Sequence, residues 1–419
     1  MIKYFTLLIL LVSSGILLAQ DKDTLEVQKI GDKYYVIVPH TSSNTDSTIQ
    51  AAVKTATTPK KFDSHFMVVG LGTLGFAHTW TKTTSGGISQ KSMTNTFGND
   101  PQFEFSPMFL WRHSDKLLIE FEPSFDGTSL GVNWACMSYF AYPGIIIRAG
   151  YLVLPFGTYN KRLAAGWIDK LATDPVGITG SPASSDWGIE MEGGLPMGNM
   201  KVNYDIALTN GFQLLNDGSL QNPGITDNNL GKTVSGRFGW LPLKNSGFEI
   251  GVSGLYGKAG DANSLYKGAA TYMGAFDAQY VLSATHAVLN LKGQYNAQYV
   301  TGENYNTTPG DTTTPLYSYT NFSMGYFAQI SVRPVVPSKF LRNLEFAARY
   351  SEYDTPKNST WENQTRQISA GIDYWLNWRT VLKLTYENVV SSNPLNPNLG
   401  IADMKTVQNI LFVQFSVQF

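Results

Sequence analysis

From Phe66 to Phe419, apolar and polar residues alternate over stretches of 9 to 13 positions separated by clusters of turn-forming residues. Successive side chains of a strand point to opposite faces, so this rhythm predicts strands with one apolar and one polar face. In Leu117 to Asp126, residues Leu117, Ile119, Phe121, Pro123 and Phe125 share one face while Glu120, Glu122, Ser124 and Asp126 share the other. A helix would mix these two sets. The stretch Leu289 to Tyr299 repeats the pattern, and so does the last segment, where Val407, Leu411, Val413, Phe415, Val417 and Phe419 alternate with Gln408, Gln414, Ser416 and Gln418.

The pattern places sixteen strands at 66–78, 101–112, 116–126, 130–141, 145–154, 186–194, 201–210, 232–240, 247–257, 271–282, 286–299, 319–333, 343–353, 366–376, 379–389 and 407–419. Short and long connections alternate between them, the pattern of an outer-membrane barrel with short periplasmic turns and long external loops. The brief link Gly127 to Ser129 is the one exception, falling where a long loop is due. An even strand count lets the first and last strands pair antiparallel, and closure is required because unpaired backbone groups in hydrocarbon each cost several kcal/mol. The fold expected is therefore all-β, a sixteen-stranded antiparallel transmembrane barrel of the outer membrane. A soluble sandwich also alternates, but its strands average about 5 to 6 residues, against about 9 to 11 for tilted membrane strands. Trp111, Trp240, Trp375 and Trp378 fall beside short turns, and Trp80 and Trp361 near long loops, as two interfacial aromatic girdles would require.

The N-terminus changes the picture by adding an address. A charged start at Lys3, an apolar run from Phe5 to Val12 continued by Ile16 to Leu18, and a small residue at Ala19 form a secretory signal peptide over 1–19. Residues 20–61 are poor in large apolar side chains and rich in Ser, Thr and Ala, so they read as a flexible periplasmic leader; the barrel is expected over 62–419. No later run of about 18 uncharged apolar residues supplies a transmembrane helix. With 31 Lys+Arg against 32 Asp+Glu among 419 residues, the chain lacks the basic excess of a nucleic-acid binder. The single cysteine, Cys136, excludes a disulfide framework.

If the apolar faces meet lipid, the polar faces line the interior, and about sixteen strands leave an aqueous channel. Inward candidates include Arg112, Arg148, Arg237, Lys292, Arg333, Arg349 and Lys383 against Glu104, Glu120, Glu122, Asp126, Glu190, Glu192, Asp205, Asp277, Glu345, Asp373 and Glu387, with carboxylates the more numerous class on that face. The 31-residue connection Pro155 to Ser185 is far longer than a hairpin needs. It is the third external loop, and it is expected to fold inward and present Lys161, Arg162 and Lys170 as a constriction that tunes selectivity.

The stretch Arg148-Ala-Gly-Tyr-Leu-Val-Leu-Pro-Phe-Gly-Thr-Tyr-Asn-Lys-Arg162 resembles the corresponding segment of the phosphate-selective porin O/P family. So do Glu120 to Asp126, Tyr204-Asp-Ile-Ala-Leu-Thr-Asn-Gly211 and the terminal Phe419, and the Ala19-Gln20 junction is similar to that of Bacteroidetes members. The resemblance implies a sixteen-stranded, often trimeric diffusion channel narrowed by its third loop. It carries Arg148, Lys161, Arg162 and Lys170 over as pore-side residues. The family's phosphate preference relies on rows of arginine and lysine; such rows are not traceable here, so that preference is not carried over.

Catalytic and cofactor motifs are missing. The five histidines, His40, His65, His78, His113 and His286, sit in no nucleophile or metal motif, and neither HExxH nor a GxxxxGK[ST] phosphate cradle occurs. About 22 strands plus a plug, the plan of an active transporter, do not fit this length. The expectation is a cofactor-free, non-enzymatic porin for small hydrophilic solutes or ions, with outer-membrane lipid as its surroundings. A non-conducting scaffold or adhesin barrel is the alternative, and an outer-membrane hydrolase a further one.

Overall fold

Sixteen staves hydrogen-bond in a closed ring. The computed structural model describes residues 26–30, 33–37 and, from 64 onward, all but 98–102, 179–184, 223, 228, 265, 302–304, 306–317, 395 and 397–400. The expected signal peptide lies outside the described residues. The chain divides between Asp63 and Ser64 into two units. In the first, β1 (Glu26–Ile30) and β2 (Lys33–Ile37) pair as an antiparallel hairpin.

The second unit is the barrel. Its strands are β3 (His65–Ser85), β4 (Ile88–Phe97), β5 (Phe103–Arg112), β6 (Leu117–Phe125), β7 (Leu130–Tyr142), β8 (Ile145–Val153), β9 (Ser185–Met197) and β10 (Met200–Thr209). Beyond a small loop hairpin of β11 (Gln213–Leu214) and β12 (Leu220–Gln221), they continue as β13 (Thr233–Leu241), β14 (Phe248–Lys258), β15 (Ala270–Ser283), β16 (Ala287–Val300) and β17 (Phe322–Pro334). The last four are β18 (Leu344–Asp354), β19 (Gln364–Asn377), β20 (Thr380–Asn393) and β21 (Met404–Gln418). All neighbours are antiparallel, and β21 closes on β3 with Met404 opposite Ser85 and Gln418 opposite Leu71.

The sequence pattern placed each of these barrel strands to within a few residues except β3, whose last third it left out, and β4, which it missed. That strand lies inside the predicted loop 79–100, and β3 runs on to Ser85 to pair with it. Strand β5 pairs with the first half of β3 and β4 with the second half, on the same edge, so β4 and β5 are two pieces of one stave and the ring counts sixteen. Residues 79–97 are rich in Thr and Ser, and their large apolar side chains, Trp80, Ile88, Met93 and Phe97, do not recur with period two. Without an apolar face the alternation signal vanishes, although the backbone ladder still forms.

The faces divide as the alternation requires. Outward residues such as Phe276, Ile330, Phe346, Ile372 and Leu384 are exposed, while the interleaved Asp277, Gln329, Glu345, Asp373 and Lys383 are buried. An apolar exterior around a polar interior inverts a soluble protein, and it is the arrangement of a strand wall standing in hydrocarbon. The terminal Phe419 secures the seam: its N–H and C=O bond to Gly70 at 3.1 and 3.0 Å, and its ring stacks on Phe105 at 5.5 Å. Two tryptophans depart from the predicted girdles. The indole of Trp375 is buried and donates to Glu345 at 2.9 Å, and that of Trp361 donates to the Asp217 carbonyl at 3.2 Å. Each thereby satisfies an N–H that protein rather than an interface surrounds.

Candidate functional site, the barrel interior and its long loop

The connection between β8 and β9 leaves the wall at Leu154 and is tied to inward-facing side chains on distant strands. A tight turn at Gly157, with φ of +66°, comes first. A β-carbon there would lie 2.1 Å from Gln294 Nε2, so only glycine seats the chain against β16. Gln294 Oε1 accepts from the Thr158 and Tyr159 N–H groups at 2.8 and 3.0 Å, and Ser253 Oγ of β14 accepts from the Gly157 N–H at 3.0 Å. One π-helical turn follows at Tyr159–Leu163. Tyr159, Leu163 and Ile178 pack on Phe327 of β17, an apolar cluster inside the ring.

Asp169 is the polar anchor. Its carboxylate accepts from Tyr159 Oη at 2.6 Å, Gln329 Nε2 at 3.2 Å and Arg349 Nη1 at 3.1 Å. Burial alone would raise the acid's pKa, but Arg349, Lys292 and Lys383 outweigh it and hold the carboxyl below its ordinary range. Lys383 Nζ donates to the Asp169 and Leu171 carbonyls at 2.9 and 3.2 Å. Arg349 also reaches the Thr173 carbonyl at 2.5 Å. Further on, Thr385 Oγ1 of β20 accepts from the Ala172 N–H at 3.2 Å, and Ser351 Oγ and Gln367 Oε1 accept from the Val176 N–H at 3.3 Å. At Gly177, φ is +70° and a β-carbon would meet Tyr353 at 2.4 Å.

Six of the residues singled out in the sequence, Arg148, Lys161, Arg162, Lys170, Arg237 and Lys292, come together around this loop, whereas Glu120 and Glu122 of β6 bond elsewhere. Lys161 meets Glu190, Glu192 at 2.8 Å and Asp205 at 3.4 Å. Arg162 lies 3.0 Å from Glu249, and Lys170 lies 3.4 Å from Glu345 and 4.5 Å from the Trp375 ring centre. Arg148 pairs with Glu192, lies 3.8 and 3.9 Å from Glu190 and Glu120, and rests 5.6 Å over Trp134. Arg237 donates to Asp277 and Glu249 at 2.5 and 2.9 Å and to Asn203 Oδ1 at 3.1 Å. Lys292 is buried on β16, its charge acting on Asp169. Glu120 accepts from Ser138 at 2.6 Å, and Glu122 from Asn133 at 3.4 Å.

Sequence reasoning selected the loop cations and placed Glu190, Glu192, Asp205 and Glu345 on the inward face, but not which cation each would meet. Glu190, Glu192 and Asp205 bring carboxylate oxygens within 4.8 Å of one another, a spacing that suits a divalent ion, but the Lys161 ammonium stands among them. Only the register of β9 on β10, with Glu192 opposite Asp205, sets these acids side by side. Asp169 likewise lies 180 and 214 positions from Arg349 and Lys383, and no local signal linked it to them.

The fold is that of outer-membrane channels. The anion-selective porin from Comamonas acidovorans superposes with a TM-score of 0.51 at 13% identity, covering 85% of this chain and 100% of that one. The outer membrane channel DcaP of Acinetobacter baumannii gives 0.51 at 12% identity, covering 85% and 97%. No family model and no curated protein matches the chain.

Proposed function

We propose that the chain is an outer-membrane porin through which small hydrophilic solutes or ions diffuse passively, its lumen narrowed by the loop between β8 and β9. The observation that carries this reading is a closed barrel with an apolar exterior and a charged interior into which one long polar loop is fastened. Such a wall is stable only in a bilayer, and a charged interior holds water. The presequence 1–19 would direct export and 20–61 would remain periplasmic. The reading involves no cofactor and no covalent chemistry, and diffusion through the lumen requires that solutes bind weakly enough to leave.

A second reading, a non-conducting barrel, is favoured by the number of strands to which the loop is tied, since each tie removes open cross-section. Recording the purified full-length mature protein in planar bilayers separates the two. Stepwise conductance supports the porin; electrically silent insertion of folded protein sinks it in favour of the second reading.

A further inference from the structure

Three lysines meet on the outer face of the wall, where β3 and β4 turn back on each other. In β3, Leu71, Thr73 and Ala77 are buried, while Phe66, Val68, Leu74 and Trp80 on the opposite face are exposed. That alternation continues without a register break and turns Lys82 outward. Lys91 of β4 stands directly opposite Lys82, and Lys405 of β21 stands opposite Thr84, diagonal to Lys82. The inward side of the same hairpin carries Thr79, Thr81 and Thr83 opposite Thr94, Ser92 and Gln90. The lysines therefore belong to the exterior and do not line the lumen.

Like charges directly opposite each other destabilise a ladder, and diagonal neighbours lie within reach of long side chains. Among the described residues, Lys82, Lys91 and Lys405 are exposed and enter no ion pair that would offset this repulsion. Asp403, two positions before Lys405, accepts instead from the Gly86 N–H at 3.2 Å. The outward base of β19 is treated differently, since Arg366 lies 3.5 Å from Glu352. A lysine on an edge strand also deters unwanted strand pairing. Lys91 fits that role, because the register pairs β4 with β3 alone among the described residues. Lys82 and Lys405 do not, because β3 and β21 have neighbours on both sides.

The ladder also fixes the height of the patch. Open sheet edges do not occur in hydrocarbon, so β4, at the end where the long connections lie, stands above the apolar zone. Next below Lys82 and Lys91 come Trp80 and Met93, again opposite each other. Beyond His78 and Asn95 follow Phe76 and Phe97, whose rings lie 4.7 Å apart. Apolar wall, aromatic ring and cation succeed one another in the order of acyl chain, interface and headgroup, with lysine stems lying along the wall and their ammonium groups in the polar layer.

We propose that Lys82, Lys91 and Lys405 bind the phosphate groups of an anionic lipid headgroup in the external leaflet. This rests on the reading of the barrel as an outer-membrane wall. A phosphate offers several acceptor oxygens to which separate ammonium groups donate charge-assisted hydrogen bonds, and lysine, a flexible point charge, needs no fixed fork geometry to do so. The bound anion removes the repulsion within the patch and seats the lipid against the hairpin of β3 and β4.

Native mass spectrometry of the full-length mature protein, folded in non-ionic detergent and titrated with diphosphoryl lipid A, tests the site. The wild type should retain the lipid. Lys82→Gln/Lys91→Gln/Lys405→Gln should weaken retention by about a hundredfold, at about a factor of five for each lysine near a charged surface, and Lys82→Arg/Lys91→Arg/Lys405→Arg should preserve it. The control Lys232→Gln/Lys258→Gln/Lys267→Gln removes the same charge from exposed lysines elsewhere at the long-loop end and should bind as the wild type does. Equal retention by the two glutamine variants, or equal retention of dephosphorylated lipid A, would overturn the site. Displacement by inorganic phosphate at the lipid's own concentration would assign the patch to free phosphate and overturn the lipid as its occupant. A chain that stays folded and dissolved with neither detergent nor lipid present overturns instead the wall reading on which the site rests.

Discussion

The Arg349 guanidinium of β18 donates to the Asp169 carboxylate at 3.1 Å, joining the long loop to the barrel wall across 180 sequence positions. Both side chains are almost wholly buried. A pair of this kind adds modestly while intact and is costly to break, because removing one partner strands the other charge away from water.

Arg349→Met is therefore expected to release the loop from β18 at a cost of about 3–5 kcal/mol to the loop's seating, with the barrel itself retained. Protease cleavage within 159–178 should appear in the variant and not in the wild type. In bilayers the variant should give larger and noisier current steps. An intact loop and an unaltered current trace would remove Asp169 from its role as anchor.

Acid should act at the same place. The native carboxyl of Asp169 titrates below the ordinary value, which for an unfolded aspartate is about 3.9. Its contribution is present in full above that value and is lost as pH falls through the lower native one. Conductance noise should therefore rise below about pH 4, and Asp169→Asn should show the noise at neutral pH without the acid transition. A wild-type trace that stays quiet down through the acid range contradicts this.

At Gly157, alanine meets both a left-handed backbone and the Gln294 side chain. The strain of a non-glycine residue there is of order 1–3 kcal/mol, and displaced Gln294 gives up its bonds to Thr158 and Tyr159. Gly157→Ala should accelerate amide exchange across 157–163 by at least about tenfold, each factor of ten being about 1.4 kcal/mol. Gly254→Ala is the control, since a β-carbon there meets nothing within 4 Å.

Ile372 stands on the outward face between Phe346 and Leu384. Ile372→Arg should cost about 2–4 kcal/mol if that position lies near the bilayer midplane. Reversible unfolding in lipid vesicles would measure it, and a neutral result would argue against a lipid-facing surface at this point.

The sequence determined the wall. Alternation over segments such as 117–126 and 289–299 located strands because side-chain direction in a strand is local, fixed by the backbone itself with period two. The short turns and the terminal Phe419 were legible for the same reason. Strand β4 was not, because a Thr- and Ser-rich strand has no apolar face to betray it, and its pairing with Ser85 and its neighbours is seen only once the ladder forms.

What the tertiary structure alone decided is the interior. Lys161 and Lys170 were visible as loop cations, but their partners Glu190, Glu192, Asp205 and Glu345 lie on strands whose order around the ring, and whose register, bring them inward at matching heights. Sequence spacing carries no information on which distant carboxylate a loop charge will meet. Charge on a side chain is a property of the residue, whereas its compensation depends on distances that exist only in the folded chain.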